Sequence, residues 1–116
     1  MFIDVRAIGF PLSDAIRTHV QSRVNSALGP FARRVVTVTA RLEDINADHG
    51  GVDKRCSLVA AVRQRGTVVT EAVHEDLYSA ADEAAARLRR AVQRLLSRRI
   101  GRERKYPQRP GALVTP

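Results

Sequence analysis

Four arginines, Arg87, Arg90, Arg94 and Arg98, recur at steps of three and four residues. On a helix, at about 100° per residue, that spacing sets them along one side. Each guanidinium offers a planar fork of donors matched to phosphate oxygens. The charge balance around them is lopsided. Residues 87–116 hold ten basic side chains and one acidic, whereas residues 1–86 hold ten basic and eleven acidic, so all of the +8 net charge sits on one helix end and the C-terminal residues beyond it. A solvated helix face usually mixes both signs. Here the mix is missing, which points to an electrostatic footprint for a polyanion. Arg89 points to the opposite side of the same helix.

Other chemistries find no constellation. His19, His49 and His74 form no pair at a metal-ligand spacing. Asp48, His49 and Asp53 share a polar turn, which is their simpler explanation. Gly50-Gly51 has no Lys-Ser/Thr or helix start after it, so it is not a phosphate loop. Cys56 falls on the inward face of a strand and reads as a small core residue. No Ser/His/Asp or paired-carboxylate arrangement stands out. The expectation is a binding protein, not an enzyme, with no metal and no cofactor.

The basic stripe needs a helix over 76–100. Asp76 can cap it. Ala is abundant and Pro absent, and Gly101 stands just past it as a stop. Leu77, Ala81, Ala84, Leu88, Ala91, Val92 and Leu95 form an apolar stripe beside the arginines, so the helix can pack and still present its charge. Upstream, FIDVRAI (2–8) alternates with Ile3, Val5 and Ala7 on one face, a half-buried strand. Ser13 caps a first helix carrying Ile16, Val20, Val24, Ala27 and Leu28, which Gly29-Pro30 ends by offering cap geometry and then a residue that cannot continue. Residues 34–42 are a second strand, Val36, Val38, Ala40 and Leu42 on one face and Val35, Thr37, Thr39 and Arg41 on the other. Residues 43–54 read as a loop. A third strand over about 55–64 turns Cys56, Leu58, Ala60 and Val62 one way. Arg65-Gly66 signals a turn. A fourth strand over 67–74 puts Val68, Thr70 and Ala72 inward, since the other choice buries Glu71.

The order β-α-β-β-β-α predicts an α+β two-layer sandwich: a four-stranded mixed sheet, its first two strands parallel, with both helices on one face. A chain of 116 residues reads as one domain over 1–100. Residues 101–116, rich in Pro and basic groups, are expected to be a mobile basic tail. One cysteine permits no internal disulfide. No apolar run approaches the roughly 20 residues that span a bilayer, and Asp4 and Arg6 interrupt any signal-peptide core. The expected compartment is the cytoplasm.

Base stacking on the sheet is disfavoured, because the outward positions hold Thr37, Thr39, Arg41, Ser57, Val59 and Arg63 in place of aromatics. Arginine contact with the phosphates of a structured RNA remains. A membrane surface is the weaker polyanion: the apolar side of the long helix lacks Trp and Phe, and the sheet needs it.

Residues 1–100 resemble the ribosome hibernation-promoting factor and ribosome-associated inhibitor family, also called sigma-54 modulation proteins. The resemblance rests on the element order, on LSDAIRTHVQSRV in the first helix and on HEDLYSAADEAAARLRRAVQR in the second. The family's Asp-hydrophobic-Tyr-x-Ala-hydrophobic-Asp opening is matched by Asp76, Leu77, Tyr78, Ala80 and Asp82. Arg87, Arg90, Arg94 and Arg98 fall on later basic positions, and Arg17 and Arg23 on basic positions of the first helix. The resemblance implies a fold close to a double-stranded-RNA-binding domain. It also implies binding to 16S rRNA of the small (30S) subunit, free or within the 70S ribosome, in the channel of messenger and transfer RNA, so that translation is blocked and idle ribosomes are preserved. The implied contacts are Arg17, Arg23, Arg87, Arg90, Arg94 and Arg98, with Tyr78, Arg102, Arg104 and Lys105 as further ones. Some members carry a second domain that pairs ribosomes. The residues after 100 are too few for one, so a short form, monomeric off the ribosome, is expected. Two alternatives stay open: a modulator that binds an acidic protein surface, and a general structured-RNA module.

Overall fold

A computed structural model of the chain describes residues 1–45 and 53–105, the side chains of 98–105 excepted. The elements are β1 (Phe2–Ile8), α1 (Asp14–Leu28), a 3-10 turn (Gly29–Phe31), β2 (Val35–Asp44), β3 (Lys54–Val62), β4 (Gly66–His74) and α2 (Leu77–Lys105). The sheet order is β1-β2-β3-β4. β1 runs parallel to β2, and the other two pairings are antiparallel. This is the expected mixed α+β sheet.

Both helices come after strands that run the same way, so they return parallel to each other. They run toward the end of the sheet where β1, β2 and β4 begin and β3 stops, the upper end of the molecule.

The core is one cluster between the helices and one sheet face. It holds Val5 of β1, Val38, Ala40 and Leu42 of β2, Cys56, Leu58 and Ala60 of β3, Ala72 of β4, Ile16, Val20, Val24 and Leu28 of α1, and Ala80, Ala84, Leu88 and Val92 of α2. Alternation places these side chains on one face of each strand, and the 3.6-residue period does the same on each helix. The opposite sheet face is open: Phe2 is 67% exposed and Val69 63%. Arg6 pairs with Asp4 there and Arg55 with Glu43, which balances much of its charge.

The caps form as the sequence predicts. Ser13 Oγ accepts the Ile16 N–H at 3.2 Å. Asp76 accepts the N–H groups of Tyr78 and Ser79 at 3.3 and 3.2 Å.

Five details differ from expectation. Val35 is buried and Val36 exposed, the reverse of simple alternation, because the β2–β3 register shifts between Val35 and Thr37. Such a bulge offsets one residue and flips the faces on either side of it. The 43–54 loop is shorter than expected: Asp44 pairs with Lys54 and Glu43 with Arg55 in the ladder. Opposite charges facing across the strands, with Arg55 Nε 3.1 Å from Glu43, let the polar ends pair. Residues 46–52 lie outside the described residues. Gly29 is right-handed (φ −49°), so α1 passes into the 3-10 turn without the glycine-type cap. Gly101 does not stop α2, which continues to Lys105. A glycine inside a helix costs only about 1 kcal/mol relative to alanine, and its Arg, Glu and Lys neighbours are good helix formers. The first five residues of the expected tail are thus helical, and 106–116 lie outside the described residues. Finally, the buried line of α2 also takes in Ala80, Ala85 and Leu96, while Ala91 and Leu95 sit at its half-buried margin.

Candidate nucleic-acid interface

The two helices lie side by side, and one carboxylate joins them. Asp82 Oδ1 sits 2.7 Å from His19 Nε2 and accepts from Arg23 Nε at 2.8 Å. The Tyr78 ring meets the His19 imidazole edge to face, centroids 4.8 Å apart. Toward the upper end, small residues (Ala27, Ala85 and Ala86) leave a groove between the helices with Arg23 and Arg89 on its walls. Arg89 Nη1 reaches the Ala27 carbonyl at 3.5 Å, a long contact.

Burial alone pushes the Asp82 carboxyl up, but the hydrogen bonds from Arg23 and His19 outweigh it and hold the group below the usual carboxylate range. The His74 hydrogen bond holds Glu83 low in the same way, against a smaller desolvation cost and with help from Arg87. In the unfolded chain both carboxyls regain ordinary values near 4. The unfolded state then binds more protons as acid is added, so the stability from these contacts is present above about pH 4 and is lost as pH falls through the lowered folded values. Denaturant melts across that range are expected to show stability falling with acid, and the fall to shrink in Asp82→Asn. An Asp82→Asn protein with the wild-type pH profile contradicts the assignment.

The arginine ladder divides by partner. Arg87 is tied down: it donates to the Glu71 carbonyl of β4 at 2.7 Å and pairs with Glu83. Arg23 is tied to Asp82. The side chains of Arg90, Arg94 and Arg17 are exposed and have no hydrogen-bond or ion-pair partner among the described residues. The side chains of Arg98, Arg102, Arg104 and Lys105 lie outside the described residues; their backbone is helical. Arg17 and Arg23 are six residues apart, about 120° round the helix, so the structure does not bring them together.

Arg89 lies across the helix from Arg87, as its spacing predicts; that side is the groove facing α1, where it joins Arg23. The available signal was the pairing of small residues on both helices, which permits close approach of the two backbones.

Among the described residues no three His, Cys, Asp or Glu side chains group as a metal site. Asp53 is buried and accepts from Lys54 Nζ at 2.9 Å; Asp48 and His49 lie outside the described residues. Burial pushes the Cys56 thiol up to about 12, which suits a core residue and not a nucleophile. No helix among the described residues is long and apolar enough to cross a membrane.

The two-layer α+β domain thus combines a largely charge-balanced open sheet with a helical layer on which the Arg17, Arg90 and Arg94 side chains have no partner among the described residues. The chain belongs to the family described as sigma 54 modulation protein / S30EA ribosomal protein, which matches residues 3–100. That is a family of ribosome-associated factors. Among solved structures, the chain is similar to a ribosomal subunit interface protein from Coxiella burnetii, with a TM-score of 0.72 at 16% identity, covering 84% of this chain and 99% of that one. It is also similar to the N-terminal domain of Protein Y from Thermus thermophilus, with a TM-score of 0.66 at 24% identity, covering 81% and 98%. At these identities the likeness is one of fold. No curated protein matches by sequence.

Proposed function

We propose that this protein binds the small ribosomal subunit through 16S rRNA, in the channel that messenger and transfer RNA occupy, and silences idle ribosomes by occupying it. The observation that carries this reading is the pair Arg90 and Arg94, exposed on the helical layer and without an internal partner among the described residues. Two unneutralised guanidinium groups one helical turn apart, on a rigid helix, suit successive phosphates of a folded RNA. Family membership supplies the ribosome as the partner, and the subunit-interface name of the Coxiella burnetii relative fits the same place. Occupancy needs no catalytic group and no cofactor, and such a protein works in the cytoplasm as a monomer off the ribosome.

Co-sedimentation with purified small subunits, empty or filled with transfer RNA and messenger, tests the reading. The expected result is a protein that pellets with empty subunits and is displaced from filled ones. Equal pelleting with both places the site elsewhere. No pelleting, together with capture by an acidic protein, favours the sigma-factor modulator reading that the family description also names.

A further inference from the structure

The fold assembles a second basic cluster that the linear charge balance hides. We propose that Arg33, Arg34, Arg63 and Arg65, gathered at the upper end of the sheet, form a second phosphate-binding point, continuous with the α2 arginines, on the same structured RNA. The proposal rests on the rRNA-binding reading and extends its surface from the helices onto the strand ends.

Thirty residues separate the two arginine pairs in sequence, and the fold closes that distance. Val35 stands opposite Val62 in the ladder. The Arg63 N–H donates to the Arg34 carbonyl at 2.7 Å, and the Arg65 N–H to the Val62 carbonyl at 3.0 Å. The three-residue turn between β3 and β4, with Gln64 left-handed at φ 61°, presents Arg63 and Arg65 at the tip. Arg33 and Arg63 are exposed; Arg34 and Arg65 are half-buried. Arg65 Nε is buried and finds no acceptor among the described residues.

Among the described residues no counter-charge meets them. Of the carboxylates whose side chains are described, none lies on the 3-10 turn or in the two uppermost cross-strand rows, from Val35, Val62 and Gly66 to Phe2, Thr37, Ala61 and Thr67. No ion pair involves any of the four arginines among the described residues. The C-terminal dipole of α1 attracts cations, but that effect fades within the last turn, and α1 ends at Leu28, before any of the four. Like charges held together without counter-ions raise the local potential, which favours an anionic ligand.

Continuity with α2 comes from height. Thr70 Oγ1 donates to the Ala84 carbonyl at 3.1 Å, and Arg87 Nη1 donates to the Glu71 carbonyl, so these residues are level. Four strand residues from Thr70 up to Gly66 rise about 13 Å, which equals about nine helix residues. That brings Arg94 about level with the turn, on the flank of α2 that faces β4.

The test is salt dependence of binding to small subunits by Arg33→Gln/Arg63→Gln, by Arg90→Gln/Arg94→Gln and by wild type. Each phosphate contact contributes about 0.7–0.9 to the log-log slope. Loss of two is expected to lower the slope by about 1.4–1.8 in either variant, and to weaken binding at physiological salt. Arg33→Lys/Arg63→Lys should keep the wild-type slope, which separates charge from fold. A wild-type slope in Arg33→Gln/Arg63→Gln, with a reduced slope in Arg90→Gln/Arg94→Gln, overturns the second cluster and leaves the helix reading standing. A lowered melting temperature with an unchanged slope also overturns it, by assigning the cluster to stability. Wild-type protein that does not bind small subunits overturns both readings.

Discussion

Reversing Arg90 and Arg94 to glutamate is expected to abolish small-subunit binding and relieve inhibition in a cell-free translation assay while leaving the fold intact. Both side chains are exposed and free of internal partners among the described residues, so the change opens no cavity. Arginine stems can cover apolar surface, which allows a small stability cost. Hydrogen bonds to charged groups are worth about 1.5–3 kcal/mol each. Two lost contacts therefore cost on the order of 10²–10⁴-fold in affinity, before the added repulsion of two carboxylates from phosphates. Arg89 is unsuited as a control, since it lines the groove beside Arg23. A charge-matched control is Arg6→Glu/Arg41→Glu, two exposed neighbours on the open sheet face. If both double variants fold and inhibit equally, the arginine stripe is a solvated face and the proposed site is wrong.

The second large effect concerns the core beneath the stripe. Leu88 is fully buried, between Ala84 and Val92 on the line that α2 presents to the sheet. Leu88→Ala is expected to destabilise by about 2–5 kcal/mol, the transfer term plus the cavity left in a filled interior. Denaturant melts measure it. A loss well under about 1 kcal/mol would mean that the helix packs through other residues. The two predictions pull apart the two stripes of one helix: one change removes binding and spares the fold, the other weakens the fold.

Much of this architecture is legible in the residues. Strict alternation in β3 and β4 and the stripes of α1 and α2 identify the elements and their inward faces, because each period matches only one backbone geometry. The Asp76 and Ser13 caps are legible for the same local reason. What is not legible depends on contacts distant in sequence. The bulge after Val35 arises from pairing with β3, not from β2 alone. The extension of the β2–β3 hairpin needs Glu43 to meet Arg55. Which arginines are free is a tertiary fact: Arg23 is consumed by Asp82, and Arg87 by Glu83 and the Glu71 carbonyl. Gly101 misleads because a stop signal is only a modest energetic preference.

The segregation of charge along the strands bears on how the protein finds its partner. Toward the lower end Asp14, Glu43, Asp44, Asp53, Glu75 and Asp76 outnumber Arg17, Lys54 and Arg55, while Arg33, Arg34, Arg63, Arg65 and Arg94 lie toward the upper one. A molecule so built carries a permanent electric moment along its length, in addition to its net charge. In the field of a polyanion, that moment feels a torque before any surface touches. The upper end is turned forward during diffusion, and fewer encounters are wasted on wrong orientations. Approach from beyond a Debye length, about 8 Å at physiological ionic strength, is blind; within it, the protein arrives already aligned.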